Sequence, residues 1–305
     1  MVLFRPITVG DKEIITNYTL KSNFKNCDFS FSNMCSWRFL YDSEYAIIDG
    51  FLIIRFWIEE KSRLVYMYPI GVGDTVKVVR MIEEDSIANG HPLLLLGVTN
   101  DTREEIDKAF GKEFVYIKER NYFDYIYRRE DLVTLAGKKY QAKRNHINKF
   151  INRYTYEYKL LTGELVSQCL ELGDKWYNTH KTDEAGEALG NEQRSMKYAL
   201  EHYNELGITG GAILVDGNII AFTYGSPING KTFGIHVEKA DINYEGAYAI
   251  INKEFASRIP EQYEYINREE DLGIPGLRKS KMSYNPVIIL EKYAAVKKYD
   301  KQEHR

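Results

Sequence analysis

Apolar residues near the start of the chain recur at helical spacing, with Ile14, Ile15 and Tyr18 inside a segment from Asp11 to Phe24 that predicts an amphipathic helix. Apolar and β-branched runs then replace that period. Tyr45 to Ile48 and Phe51 to Phe56 predict two strands, and the Asp49-Gly50 pair between them suits a type I′ turn, whose two central residues both need positive φ. A third strand, Leu64 to Ile70, runs to Gly71 and Gly73, and a helix follows over Thr75 to Ala88. Next come a buried strand over Pro92 to Val98, a short helix opened by Asn100-Asp101-Thr102, and paired strands near Phe114 to Lys118 and Tyr122 to Tyr127.

The second half repeats this order. Ala212 to Val215, Asp216-Gly217 and Asn218 to Ile220 give the same strand, turn, strand layout, at an offset of 167 residues between the two Asp-Gly turns. A strand over Thr232 to Val237, a helix over Glu245 to Arg258, a strand over Tyr263 to Asn267, a short helix and a final strand over Val287 to Tyr293 follow. The helix offset, 170 residues from Thr75 to Glu245, nearly equals the turn offset, which predicts a fold built twice. The halves are expected over 1–128 and 129–305, with the active site in the second. No Gly/Ser-rich or Pro-rich linker separates Arg128-Arg129-Glu130-Asp131-Leu132 from the helix that follows, so the join is expected to be packed.

At 305 residues the chain is about twice the usual domain length. Its 44% apolar and 28% charged residues are those of an ordinary globular protein, and its formal charge of −3 leaves any nucleic-acid or membrane binding to a local patch. The three cysteines, Cys27, Cys35 and Cys169, form no CxxC pair, which fits a reduced compartment. The opening MVLFRPITVGDKEI has no signal-like apolar run, and Pro92 to Leu96 is far short of the roughly 20 residues that span a bilayer. A cytoplasmic protein without a transmembrane segment is expected. The six histidines, His91, His146, His180, His202, His236 and His304, are scattered, and no HExxH, GxSxG or GxxxxGK[ST] pattern occurs. No metal or cofactor is expected, and hydrolase, NTPase and metalloenzyme readings are disfavoured.

The order of elements in each half resembles the GNAT fold, and its tandem form resembles the C-terminal catalytic domain of the phosphatidylglycerol lysyltransferases and, more distantly, the Fem-type aminoacyltransferases. Lys138 to Phe150, with Lys143-Arg144-Asn145-His146-Ile147-Asn148, and Asn267 to Pro286, with Arg268-Glu269-Glu270-Asp271-Leu272-Gly273-Ile274-Pro275-Gly276-Leu277-Arg278-Lys279-Ser280-Lys281-Met282-Ser283-Tyr284, look like signature stretches of an uncharacterised bacterial family grouped with those enzymes. The resemblance implies an α/β fold of α+β type: two tandem GNAT (acyl-CoA N-acyltransferase)-like domains, with mixed, mostly antiparallel sheets flanked by helices. It implies acyl transfer without fixing a substrate. GNAT enzymes hold coenzyme A pyrophosphate on a Gly-rich turn at the start of the central helix. The matching stretch here, Lys239 to Ala247, has one glycine and carboxylates at Asp241 and Glu245 that would repel it.

The densest set of polar groups lies in the second signature. A strand ending at Asn267 would leave Glu269, Glu270 and Asp271 in the loop beyond it, and Pro275 would open the next helix with Arg278 and Lys281 on one face. Glu270 and Asp271 are candidates to bind a donor amine, Arg278 and Lys281 a carbonyl or phosphate, and Tyr284 to protonate a leaving group, with Asn267 and Arg268 beside them. His236 and Glu238 alternate along one strand and so are expected on one sheet face, with Glu238 a base or amine binder. Lys138, Lys139, Lys143, Arg144, His146, Lys149 and Arg153 form a basic strip able to hold tRNA phosphates. The same charges also suit helix caps and a solvated ion-pair surface.

Three functions follow as expectations. The first is an aminoacyltransferase taking its group from aminoacyl-tRNA to an amine or hydroxyl of a small molecule, peptide or lipid headgroup, with no cofactor. The second is an acetyl-CoA-dependent N-acetyltransferase. The third is a non-catalytic GNAT-like binding module.

Overall fold

The computed structural model describes residues 2–181 and 186–299. Its strands are β1 (Arg5–Pro6), β2 (Glu44–Ile48), β3 (Phe51–Ile58), β4 (Arg63–Met67), β5 (Ile70–Gly71), β6 (Leu94–Val98), β7 (Phe114–Lys118), β8 (Asp124–Arg128), β9 (Tyr156–Leu160), β10 (Thr209–Val215), β11 (Asn218–Asn229), β12 (Thr232–Ala240), β13 (Tyr265–Asn267), β14 (Ile288–Leu290) and β15 (Tyr293–Lys297). They form two sheets, in the orders β1-β2-β3-β4-β6-β15-β7, with β5 on β3, and β14-β8-β13-β12-β11-β10-β9.

The two sheets share a plan. Each contains a hairpin closed by two residues of positive φ, Asp49 (46°) with Gly50 (83°) and Asp216 (50°) with Gly217 (79°), as the Asp-Gly turns predict. Each is antiparallel except for one parallel pair, β4 with β6 and β12 with β13, bridged by the helices Thr75–Ala88 and Ala247–Ala256. The first of these helices has the predicted bounds, and Asp74 caps it by accepting from the Lys77 amide at 3.0 Å.

Three expectations need correction. Phe114–Lys118 and the strand after it do not pair, because β7 lies at the edge of the first sheet while β8 lies inside the second, between β13 and β14. The single final strand is two: β14 pairs with β8 in the second sheet, and β15 crosses to the first, between β6 and β7. The opening helix stops at Thr19 rather than Phe24, and Asn26 to Phe29 turn into the seam between the sheets.

The core has three parts. One lies between the sheets, where Phe29, Phe31 and Leu52 meet Leu172, Ala212, Phe222, Tyr224 and Val237. The outer face of the first sheet packs Tyr66, Leu95 and Ala295 on Val78 and Ile82. That of the second packs Phe233, Ile235 and Ile266 on Ile147, Phe150, Ile250 and Phe255, from the helices Gln141–Arg153 and Ala247–Ala256. Several buried tyrosines turn their hydroxyls to carboxylates, as Tyr66 does to Asp85 at 2.7 Å, and others to backbone carbonyls, as Tyr127 does to that of Lys281 at 2.8 Å.

Candidate active site where two strands part

The ladder between β12 and β13 covers only Thr232 to Gly234 against Tyr265 to Asn267. Past those residues side chains span the gap. The register of β11 on β12 slips there, from Tyr224 opposite Val237 to Gly225 opposite Ile235, so His236 is the extra residue of a β-bulge. The bulge breaks the alternation, and this corrects the expectation that His236 and Glu238 share a face. His236 turns toward the seam, to Ser226 and Ser30, while Glu238 turns to Asn252 on the outer helix Ala247–Ala256.

On the seam side, Nδ1 of His236 lies 2.7 Å from Oε1 of Glu269, and that oxygen also accepts from Asn33 Nδ2 at 2.8 Å. A carboxylate only accepts, so Nδ1 is the protonated nitrogen and Nε2 is free to accept from Ser226 at 2.8 Å or Ser30 at 3.2 Å. This has the order of a catalytic triad. Ser226 is nevertheless buried and shared with Ser30 and Ser32 at 3.0 and 2.8 Å, which makes it a hydrogen-bonded hub joining the two halves.

On the outer side, Arg268 Nη2 donates to Glu238 Oε1 at 2.8 Å, and Asn252 Nδ2 donates to Glu238 Oε2 at 3.1 Å. Arg268 is 9% exposed, yet its Nη1 has no partner among the described residues, and neither has Oδ1 of the fully buried Asn252. Arg268 packs 4.9 Å from the centre of the Tyr284 ring. Lys143 Nζ sits 3.8 Å from the same ring centre. Burial, followed by the Arg268 charge, pulls the Lys143 ammonium down to about 8. Burial pushes the Tyr284 hydroxyl up, so it stays protonated.

The second signature is the frame of this site. Asp271, with no exposed side-chain surface, accepts from Nε and Nη2 of Arg278 at 2.8 Å each, from the Gly273 amide at 2.9 Å and from the Tyr125 hydroxyl. The Arg278 bonds hold its carboxyl well below the usual range. Lys281 is buried, and its ammonium donates to the carbonyls of Arg268, at 2.5 Å, and Glu270. Pro275 opens the helix Pro275–Met282 as predicted. The sequence therefore places Asp271, Arg278 and Lys281 together, but as the brace of the 268–273 loop, in which Glu269 and Leu272 hold positive φ.

Glu270 pairs with the buried Lys292, which also lies 2.9 Å from both Asp28 and Asp124. Burial pushes Glu270 up to about 7, against the pull of Lys292 and with Asp124 adding to the rise. Ligand atoms of Cys27, Asp124 and Glu270 lie within 4.8 Å of one another, a spacing that could hold a metal ion. The Lys292 ammonium already lies 2.9 Å from Asp124 and 3.7 Å from the Cys27 sulfur, so the protein supplies its own cation. Asn267 ties this cluster to the first half, donating to Asp124 at 2.7 Å and to the Lys25 carbonyl at 2.6 Å. Nothing in the sequence pattern marks Lys292 or Asp28, which are 264 residues apart.

The basic strip is divided. Lys143 turns inward over Tyr284, and Arg144 donates to the carbonyls of Leu135 and Gly137, fastening the loop before its own helix. Lys149 pairs with Glu245 at 2.9 Å and Lys139 with Asp131 at 3.5 Å, while Lys138, His146 and Arg153 are exposed. His304 lies outside the described residues. Where a GNAT enzyme would hold a pyrophosphate, a Cβ on Gly246 would stand 2.5 Å from the His146 carbonyl oxygen and 3.0 Å from Phe150 Cβ.

The family described as phosphatidylglycerol lysyltransferase, C-terminal, matches residues 21–296. The chain belongs to that family. A conserved protein of unknown function from Bacteroides thetaiotaomicron has the same fold at a TM-score of 0.95, with 52% identity over 98% of this chain and 100% of that one. The L-PGS structure from Bacillus licheniformis superposes at 0.68, with 14% identity over 98% of this chain and 94% of that one. A tandem GNAT protein from the clavulanic acid biosynthesis pathway superposes at 0.50, with 9% identity over 98% and 100%. An uncharacterised protein of Mycoplasmoides gallisepticum is 28% identical over 194 residues, 62% of this chain and 61% of that protein. The fold is thus the expected tandem GNAT architecture, and family and fold together support an acyltransferase type of function. No described helix is long and apolar enough to cross a membrane.

Proposed function

We propose that the protein transfers an aminoacyl group from aminoacyl-tRNA to an amine or hydroxyl acceptor, in the gap between β12 and β13. The observation that carries this reading over acetyl-CoA-dependent transfer is the closed start of the helix Ala247–Ala256. There the His146 carbonyl and Phe150 pack so closely on Gly246 that a single Cβ would clash, and Glu245 beside it is paired with Lys149 rather than replaced by a phosphate-binding group. An aminoacyl ester arrives already activated, so positioning does most of the work.

In this reading Glu238 accepts the proton of the attacking amine as its nitrogen bonds to the ester carbonyl. The bond to the tRNA oxygen then breaks, and Tyr284, held protonated by burial, returns a proton to that oxygen. The exposed Lys138, Lys149 and Arg153, rather than Lys143 and Arg144, meet the tRNA backbone.

The test is binding of bulk deacylated tRNA and of coenzyme A at two salt concentrations. Salt-sensitive tRNA binding that weakens in Lys138→Glu with Arg153→Glu is the expected result. Coenzyme A binding without tRNA binding would overturn the proposal in favour of N-acetylation. Binding of neither would leave the non-catalytic module.

A further inference from the structure

Three donor or acceptor groups around Glu238 have no hydrogen-bond partner among the described residues. Arg268 Nη1 and Asn252 Oδ1 are buried and unpaired among the described residues, and both residues hold the Glu238 carboxylate through their other atoms. The Lys143 ammonium, half-buried, has the Tyr284 ring beneath it. The ionic groups of the cluster are Lys143, Arg268 and Glu238, which sum to one surplus positive charge. A buried surplus charge is costly unless something pairs with it, and a buried guanidinium edge or amide oxygen without a partner adds to that cost.

We infer that Lys143, Arg268 and Asn252 form a binding site for a small amino acid or similar amine-bearing carboxylate, its carboxylate on Lys143 and Arg268 Nη1 and its nitrogen at Asn252 Oδ1 and Glu238. With the amine in its unprotonated, attacking form such a ligand carries one negative charge, which cancels the surplus. A carboxylate suits the burial better than a phosphodiester, whose two ester arms would both need a way out past Tyr284 and Arg268, which are 3% and 9% exposed. Naming this ligand the acceptor rests on the aminoacyl-transfer reading. The binding itself does not, and is measured without tRNA.

The experiment is NMR of the full chain labelled at lysine Cε and Nζ, with the Lys143 signal assigned by its loss in Lys143→Arg. L-alanine, propionate, L-alaninamide and dimethyl phosphate are titrated separately. Alanine and propionate should shift the signal and raise its titration midpoint, alanine binding several-fold more tightly, and alaninamide should leave it in place. Arg268→Lys should weaken alanine about tenfold or more, the loss expected for a charged hydrogen bond. Asn252→Ala should bring alanine down to the affinity of propionate. Lys143→Gln, at the half-exposed member of the cluster where folding is least at risk, should weaken propionate several-fold by calorimetry. No response to either carboxylate, an equal response to alaninamide, or tighter binding of dimethyl phosphate would each overturn the assignment. If alanine binds as described while tRNA does not bind at all, the site stands and the transfer reading falls.

Discussion

His236 and Glu269 meet at 2.7 Å across the gap where β12 and β13 part, so a bulged strand residue and a loop residue of positive φ close what the backbone ladder leaves open. Glu269→Ala strands His236 Nδ1 without an acceptor and leaves Asn33 Nδ2 only its longer bond to the Cys27 carbonyl, at 3.4 Å. It should cost about 2 kcal/mol in chemical denaturation, and Glu269→Gln, which keeps an oxygen there, less. Equal losses in the two variants would show that the carboxamide oxygen cannot replace the carboxylate.

Glu270 should make stability fall as pH rises. Its folded carboxyl holds its proton more tightly than the unfolded chain does, so the stabilisation is complete below 4.5 and is lost through about 7. Glu270→Gln cannot ionise and still offers an acceptor to Lys292. Its stability relative to the parent should therefore improve between about pH 5 and about pH 8 in paired urea titrations. A flat difference would mean that Lys292 fully compensates the buried charge.

Asp271 works with the opposite sign. Its depressed carboxyl contributes stability at and above 3.8, lost as pH falls through the lower folded value. Arg278→Ala removes the main cause, so its acid-unfolding midpoint by circular dichroism should move to higher pH. It should also loosen the 268–273 loop, read as faster amide exchange at Gly273.

Lys143 carries a stability penalty. The fold disfavours its charge, so the penalty is present below about 8 and fades as pH climbs toward 10.5. Lys143→Met keeps the length of the side chain and its contact with Tyr284. It should stabilise the protein by about 1 kcal/mol near neutral pH, after allowance for the solvent that reaches the half-buried ammonium, with the gain shrinking in alkali. A loss instead of a gain would mean that the ammonium over the ring is worth more than its desolvation.

The hairpins were readable because an Asp-Gly pair between β-branched runs is a local signal, and positive φ at Asp49 and Asp216 is its direct result. The strand exchange was not, because the few residues from Glu119 to Phe123 between β7 and β8 look like any hairpin connection. What separates those strands is a choice of neighbour made by distant residues such as Tyr265 and Ile288. The bulge at His236 was hidden for a similar reason, since alternation along one strand carries no record of the register of the next. The Asn267 to Tyr284 stretch was correctly picked out as charged and clustered. Composition alone cannot tell a carboxylate aimed at a ligand from Asp271, whose oxygens are taken by Arg278, Tyr125 and Gly273.

β8 stands inside the second sheet and β15 inside the first, each with neighbours on both sides. A chain cut after Arg128 would yield two pieces, each missing an interior strand and each displaying one with nothing to pair to. Neither piece is then a free-standing unit that could be expressed, shuffled into another protein or lost alone. The halves should melt in a single transition, and two separately produced fragments should regain structure only when mixed.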